Sequence, residues 1–308
     1  MRQAAEAVVR DSLGVRAGET VLVIADTGTQ AIGEALRAAA SHAGAEAVLA
    51  LMDPRERSGQ EPPEAIAAAL LHCDVFIAPT TASLSHTQAR KAATERGARG
   101  ATLPGVTEDL LTRLMTADLD LIKRRSDAVA HLLTDHDEAR LTCPRGTDFT
   151  FDLTGRAGVA DDGQLATAGA FGNLPCGEGF VSPLNGHGRL VVASLAGIGL
   201  GHGELTVEGG RLIAATGDEG EKLLETLLGA GELGTNLAEL GVGTNEQATL
   251  TGNVLEDEKM LGTVHIAFGA SMGIGGTVSV PVHLDSVVLE PTLHIGDVPV
   301  IESGTFLL

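Results

Sequence analysis

Along the first 130 positions, short apolar runs alternate with stretches of helical spacing. Residues 20–25 (Thr-Val-Leu-Val-Ile-Ala), 46–52 (Glu-Ala-Val-Leu-Ala-Leu-Met) and 74–78 (Asp-Val-Phe-Ile-Ala) read as buried strands. Residues 30–42 place Ile32, Leu36 and Ala39 at helical spacing. Further helices are predicted near 63–72, 83–96 and 107–132, with a short strand at 99–103. Strands alternating with helices predict βαβ units, Rossmann-like in pattern, and a parallel sheet.

From Ala139 onward the chain is rich in glycine and β-branched residues. Candidate strands are 139–143, 148–153, 189–195, 203–207, 211–214, 262–268, 278–288 and 298–301. One helix interrupts them, with Leu223, Leu224, Leu227 and Leu228 at helical spacing and Gly229 and Gly231 after it. The second half is therefore expected to be an α+β domain with mostly antiparallel strands. The boundary falls in Leu132–Glu138, giving an α/β domain over 1–134 and a second domain over 135–308.

Charge narrows the partners. The chain has 308 residues, with 21 Lys+Arg against 41 Asp+Glu and a net charge of −20. Nucleic acid and anionic membranes both need a basic footprint, so neither is expected as a partner. No apolar run is long enough to span a bilayer, and no secretory signal is visible. Cys73, Cys143 and Cys176 form neither a CxxC pair nor an even framework, so a cytoplasmic protein is expected. There is no Trp and no Tyr.

The candidate chemistry concentrates in the second half. In Val280–Leu289, His283 and Asp285 are two apart on a predicted strand and project to one face. An imidazole beside a carboxylate suits zinc, manganese or ferrous iron; a buried His–Asp hydrogen bond is the plain reading. His265 lies in a second such strand. Glu178 sits between two glycines on a Pro-bounded loop, where a carboxylate can approach a metal, or is an ordinary turn residue. Glu239, between Ala238 and Leu240, is a buried carboxylate needing a cation or a surface residue before a turn. Cys176 is a thiolate ligand or small packing. His187 and His202 sit in Gly-His-Gly turns. Gly269-Ala-Ser-Met-Gly273 matches a nucleophile elbow, with Asp285 and His294 in hydrolase order, but Ser271 precedes glycines and a strand rather than a helix. Gly197-Ile-Gly199-Leu-Gly201 lacks the helix and lysine of a phosphate loop.

Together, Asn173–Glu178, Ala238–Asn245, Gly252-Asn253 with Asp257-Glu258-Lys259, Gly262–Gly269 and His283–Asp285 resemble the metallo-aminopeptidase family of the aminopeptidase T type, peptidase family M29. The resemblance is specific over 173–285 and topological before that. It implies an N-terminal α/β domain, a C-terminal metal-binding catalytic domain and a homodimer. It also implies two divalent ions (zinc, cobalt or manganese) on Glu178, Glu239, His265, His283 and Asp285. A metal-activated water would release N-terminal residues from small peptides, with Glu178 as catalytic proton shuttle. Where the family carries a Tyr, seven residues after His265, this chain has Met272, so a phenol that would stabilise the oxyanion is missing.

A similar branch opens dihydroxypyridine rings with O₂ at one Fe(II), as in 2,5-dihydroxypyridine dioxygenases. His265, His283 and Asp285 would hold that iron with Glu178 nearby. A non-catalytic metal-binding relative is the third alternative.

Overall fold

The alternation in the first part of the chain builds five parallel strands. Their spatial order is Glu46–Met52, Thr20–Asp26, Val75–Ala78, Arg99–Thr102 and Phe171–Asn173. The helices Gln30–His42, Glu64–Leu70 and Gln88–Glu95 connect them as the pattern predicts. Gln30–His42 buries Ile32, Leu36 and Ala39, the predicted stripe. Leu22, Ile24, Ile66, Leu70 and Phe76 form the core beneath. The fifth strand was not predicted; three residues carry too little periodicity to announce it, and Phe171 stacks on Phe76 with ring centroids 6.2 Å apart.

This computed structural model describes residues 1–195 and 198–308. Their contacts divide them into Met1–Asp118 with Gly163–Cys176, and Leu119–Asp162 with Gly177–Leu308. The chain therefore changes unit three times rather than once near residue 134. The helix predicted over 107–132 is two, Glu108–Leu114 and Leu119–Asp135. Between them the Thr116 hydroxyl donates to the Arg113 carbonyl at 2.7 Å, a local bond that competes with helix continuation. The second helix belongs to the second unit. There it packs on the strand Glu178–Val181 so closely that a Cβ on Gly179 would stand 2.6 Å from Val129.

Among the described residues, the second unit is built on a sheet of 13 strands. Its central order is Asn185–Leu195, His283–Val288, Val264–Gly269, Leu237–Gly243, Glu178–Val181 and Val159–Asp161, each pair antiparallel. The hairpin Gly199–Glu208 and Arg211–Thr216 branches from Asn185–Leu195. Phe149, Phe151, Leu190, Leu205, Leu240, Ile266 and Phe268 belong to its core. The strand expected over 278–288 starts only at His283. Pro281, which has no N–H for a ladder, lies just before it. Gly197 of the glycine-rich run lies outside the described residues, and Gly199 opens a strand. Among the described residues, no helix is long and apolar enough to cross a membrane.

Arg99 anchors the first sheet. Its guanidinium donates to both Glu19 carboxylate oxygens, at 3.0 and 2.8 Å, and to the Leu13 and Gly14 carbonyls. The Arg99 hydrogen bonds hold the Glu19 carboxyl below its usual range, against the effect of burial. A lowered folded pKa gives stability that is present above the unfolded value and lost as pH falls through the folded one. Glu19→Gln is expected to cost about 2 kcal/mol at neutral pH. Urea melts at a series of pH values should show the gap to wild type closing below about pH 4.

Candidate metal centre

Glu178, Glu239, His265, His283 and Asp285 lie on four neighbouring strands, and the register brings them to one face. Gly243 opposes Glu178, Gly241 opposes His265, Glu239 opposes Ala267, Ala267 opposes Asp285 and Gly269 opposes His283. Directly opposed residues share a face of the sheet. The other face carries Leu240, Val242, Val264, Ile266, Phe268 and Val288 into the core. A bulge keeps the two sets apart. Leu237 opposes Phe268 and Glu239 opposes Ala267, so Ala238 is the extra residue. In a regular strand Leu237, two residues from Glu239, would share its face; with the bulge, Leu237 joins the core and Glu239 joins the site.

Glu178 and Glu239, expected on a loop and before a turn, are thus strand residues, both buried. Their segments are rich in glycine, which conceals a strand from propensity. The glycines have a spatial purpose instead: a Cβ on Gly241 would lie 2.0 Å from His265 Nε2, so the imidazole occupies the room that Gly241 leaves.

Two groups of donor atoms converge: Glu178, Glu239 and His265, and Glu239, His283 and Asp285, each with ligand atoms within 4.8 Å of one another. His265 Nε2 is aligned on Glu239 Oε1 at 3.4 Å and stands 3.0 Å from Glu178 Oε2, off line for a hydrogen bond. His283 Nε2 is 3.1 Å from Glu239 Oε2 and 3.5 Å from Asp285 Oδ1. His283 Nδ1 faces the Ala270 carbonyl at 2.7 Å. A carbonyl only accepts, so Nδ1 carries a proton, and in neutral imidazole the Nε2 lone pair then faces two carboxylates. Such an arrangement needs a cation: a proton on Nε2 or a metal ion. Buried Glu178 Oε2, which faces His265 Nε2, has no hydrogen-bond partner. The donor set and this orphaned atom fit a divalent ion.

Electrostatics agree. Burial acts to lower the pKa of His265, but Glu178 and Glu239 outweigh it and raise it well above the usual imidazole value. Burial likewise opposes, and Asp285 and Glu239 overcome, the upward shift of His283. Burial would raise Glu178, yet Lys259 and His265 bring it down to about 2.

Lys259 carries no role in the sequence reading. It is 1% exposed, with its ammonium 2.5 Å from Glu178 Oε1, 2.9 Å from Glu258 Oε1 and 3.4 Å from Asp161 Oδ2. A charged triplet Asp257-Glu258-Lys259 ordinarily marks a solvated helix end, and nothing in one sequence says that it folds inward. Cys176 falls in the first unit and is outside both donor groups. His187, His202 and His294 are exposed. Ser271 leads into a three-residue turn, Met272–Ile274, rather than an elbow helix, and Met272 is exposed.

Gly241→Ala is expected to leave the circular dichroism spectrum native while weakening divalent-ion binding about 10- to 100-fold in calorimetric titration. The raised His265 and His283 values have a second consequence. In protein stripped of metal their stabilising share is present below the usual imidazole pKa and lost as pH rises through the folded values. Metal binding needs neutral imidazoles, so added Mn(II) should raise the melting temperature more at about pH 9 than at about pH 6.

Comparison with known proteins bears on which chemistry the centre serves. A family model described as 2,5-dihydroxypyridine 5,6-dioxygenase (NicX) matches residues 3–308. The fold is similar to that of a 2,5-dihydroxypyridine dioxygenase from Pseudomonas putida KT2440, at TM-score 0.85 and 20% identity, over 99% of this chain and 96% of that one. It is also similar to AmpT from Thermus thermophilus, at TM-score 0.72 and 19% identity, over 100% and 98%. No curated protein matches. The AmpT likeness bears out the two-domain fold that the resemblance implies. The family match overturns the expected activity: peptide hydrolysis, and with it the reading as hydrolase, aminopeptidase or metalloprotease, gives way to the dioxygenase alternative. A likeness of fold does not fix the reaction.

Proposed function

This chain belongs to the 2,5-dihydroxypyridine 5,6-dioxygenase family, and from that premise we propose that it opens a hydroxylated pyridine ring with dioxygen at one ferrous ion. The family match along residues 3–308 carries the reading. The chemistry of the donors is compatible with it: imidazole nitrogens and carboxylate oxygens, which the two groups joined by Glu239 supply, are the ligand types of non-haem iron(II) oxygenases.

In this reading His265, His283 and Asp285 would hold the iron, which draws one ligand from the first donor group and two from the second, the groups that Glu239 joins. When bound, the iron supplies the oxygen-activating redox chemistry that side chains lack. The chain's own residues do the rest. Glu178, with Oε2 free of hydrogen bonds, accepts a hydrogen bond from a ring hydroxyl and orients the ring. Glu239, between the two imidazoles at 3.4 and 3.1 Å, fixes their orientation. Burial of Glu178, Glu239 and His265 keeps bulk water away from the reacting atoms. The His283 side chain, at 21%, is the most exposed of the five, so the substrate approaches from its side. A net charge of −20 favours a neutral ring over an anion.

The test is oxygen uptake by anaerobically iron-loaded protein. With 2,5-dihydroxypyridine, one O₂ should disappear per ring lost, while small peptides should stay intact. His265→Ala and Asp285→Ala should each lower the rate by about 100-fold or more. No uptake by iron-loaded wild type across a panel of hydroxypyridines would overturn the reading.

A further inference from the structure

Lys259 is the buried cation nearest the candidate centre, and its surroundings are built rather than incidental. Asp161, Glu178 and Gly243 oppose one another across three adjacent strands. They form one row on the site face. Lys259 reaches that row because Gly243 has no side chain: a Cβ there would meet the Met260 carbonyl at 2.1 Å and the Lys259 carbonyl carbon at 2.8 Å. The backbone of Lys259 is pinned on both sides. Its N–H donates to Glu256 O and its carbonyl accepts from Asn245 N, both at 2.9 Å. The ammonium therefore arrives at a fixed place.

What it does there follows from which oxygen it takes. Lys259 binds Glu178 through Oε1, whereas Oε2, the oxygen beside His265, has no hydrogen-bond partner. Of the three carboxyls at the ammonium, Glu178 stands closest, at 2.5 Å, against 2.9 Å for Glu258 and 3.4 Å for Asp161. The charge of Lys259 is thus directed chiefly at Glu178.

We propose that Lys259 is a positioning residue: by holding Glu178 Oε1 it keeps the carboxylate from chelating the metal with both oxygens and delivers Oε2 alone to the centre. This rests on the reading that the five residues form a metal centre. It keeps Oε1 occupied away from the ion, and it places a fixed positive charge beside the ion. Both effects weaken metal binding while shaping the site. A lysine that merely braced the fold would strengthen metal binding through order, so the two roles predict opposite signs.

The experiment is titration of the metal-stripped full chain with Co(II), following visible absorption and heat, for wild type and Lys259→Met. Lys259→Met releases Glu178 Oε1 and removes the neighbouring charge. It is expected to bind Co(II) about tenfold more tightly or better, with an altered d–d spectrum, although it melts at a lower temperature. Equal or weaker binding with an unchanged spectrum overturns the proposal. If Lys259→Met does not fold without metal, refolding in Co(II) or Mn(II) decides: recovery of native circular dichroism supports the proposal, and failure to recover overturns it. A wild type that binds no Co(II) would defeat the metal centre itself, and loss of dioxygenase activity with Co(II) binding intact would defeat only the proposed reaction.

Discussion

Buried negative charge has to be neutralised out of water, and the second unit is arranged around that demand. Glu178, Glu239, Asp285, Glu258 and Asp161 gather near one another beneath the surface. An isolated carboxylate in such a place costs several kcal/mol, a large share of the stability of a domain, so each must find a cation, a proton or a hydrogen-bond donor. Lys259 supplies one charge and the imidazoles of His265 and His283 supply donors. Asp161 and Glu258 are driven toward their neutral forms. The centre between the two histidines is what a divalent ion fits.

The sheet makes that concentration tolerable by separating its faces. One face of the central strands packs Leu240, Val242, Ile266 and Phe268 into the core; the other presents the titratable groups among Gly241, Gly243, Ala267 and Gly269. Small residues on the site face leave room for ring and ammonium, and the bulge at Ala238 keeps Leu237 and Glu239 on opposite sides. Stability and chemistry thus share strands without sharing a surface.

The fold is similar to that of AmpT, and a fold by itself does not fix the reaction a site performs. Carboxylates and imidazoles in this order are compatible with activating water or with holding ferrous iron. Met272 in place of a tyrosine already separates this chain from the peptidase pattern, and the family match over residues 3–308 favours the dioxygenase reading.

Local patterning by itself determined the parallel sheet of the first unit, because buried strands such as Thr20–Asp26 and the helix Gln30–His42 declare themselves through short-range periodicity. It also exposed His265, His283 and Asp285, polar residues in apolar strands, where burial of a polar group is the signal. It did not reveal the strands of Glu178 and Glu239, whose glycines lower strand propensity and owe their presence to neighbours distant in sequence. Nor did it place the helix Leu119–Asp135 in the second unit, or return Gly163–Cys176 to the first. Lys259 is the plainest case. As a residue in a charged triplet it looks solvated, and only the register of three strands and the bare backbone of Gly243 turn it inward onto Glu178. Periodicity is a property of neighbours along the chain, whereas the cation a carboxylate meets is a property of neighbours in space, and that only tertiary structure decides.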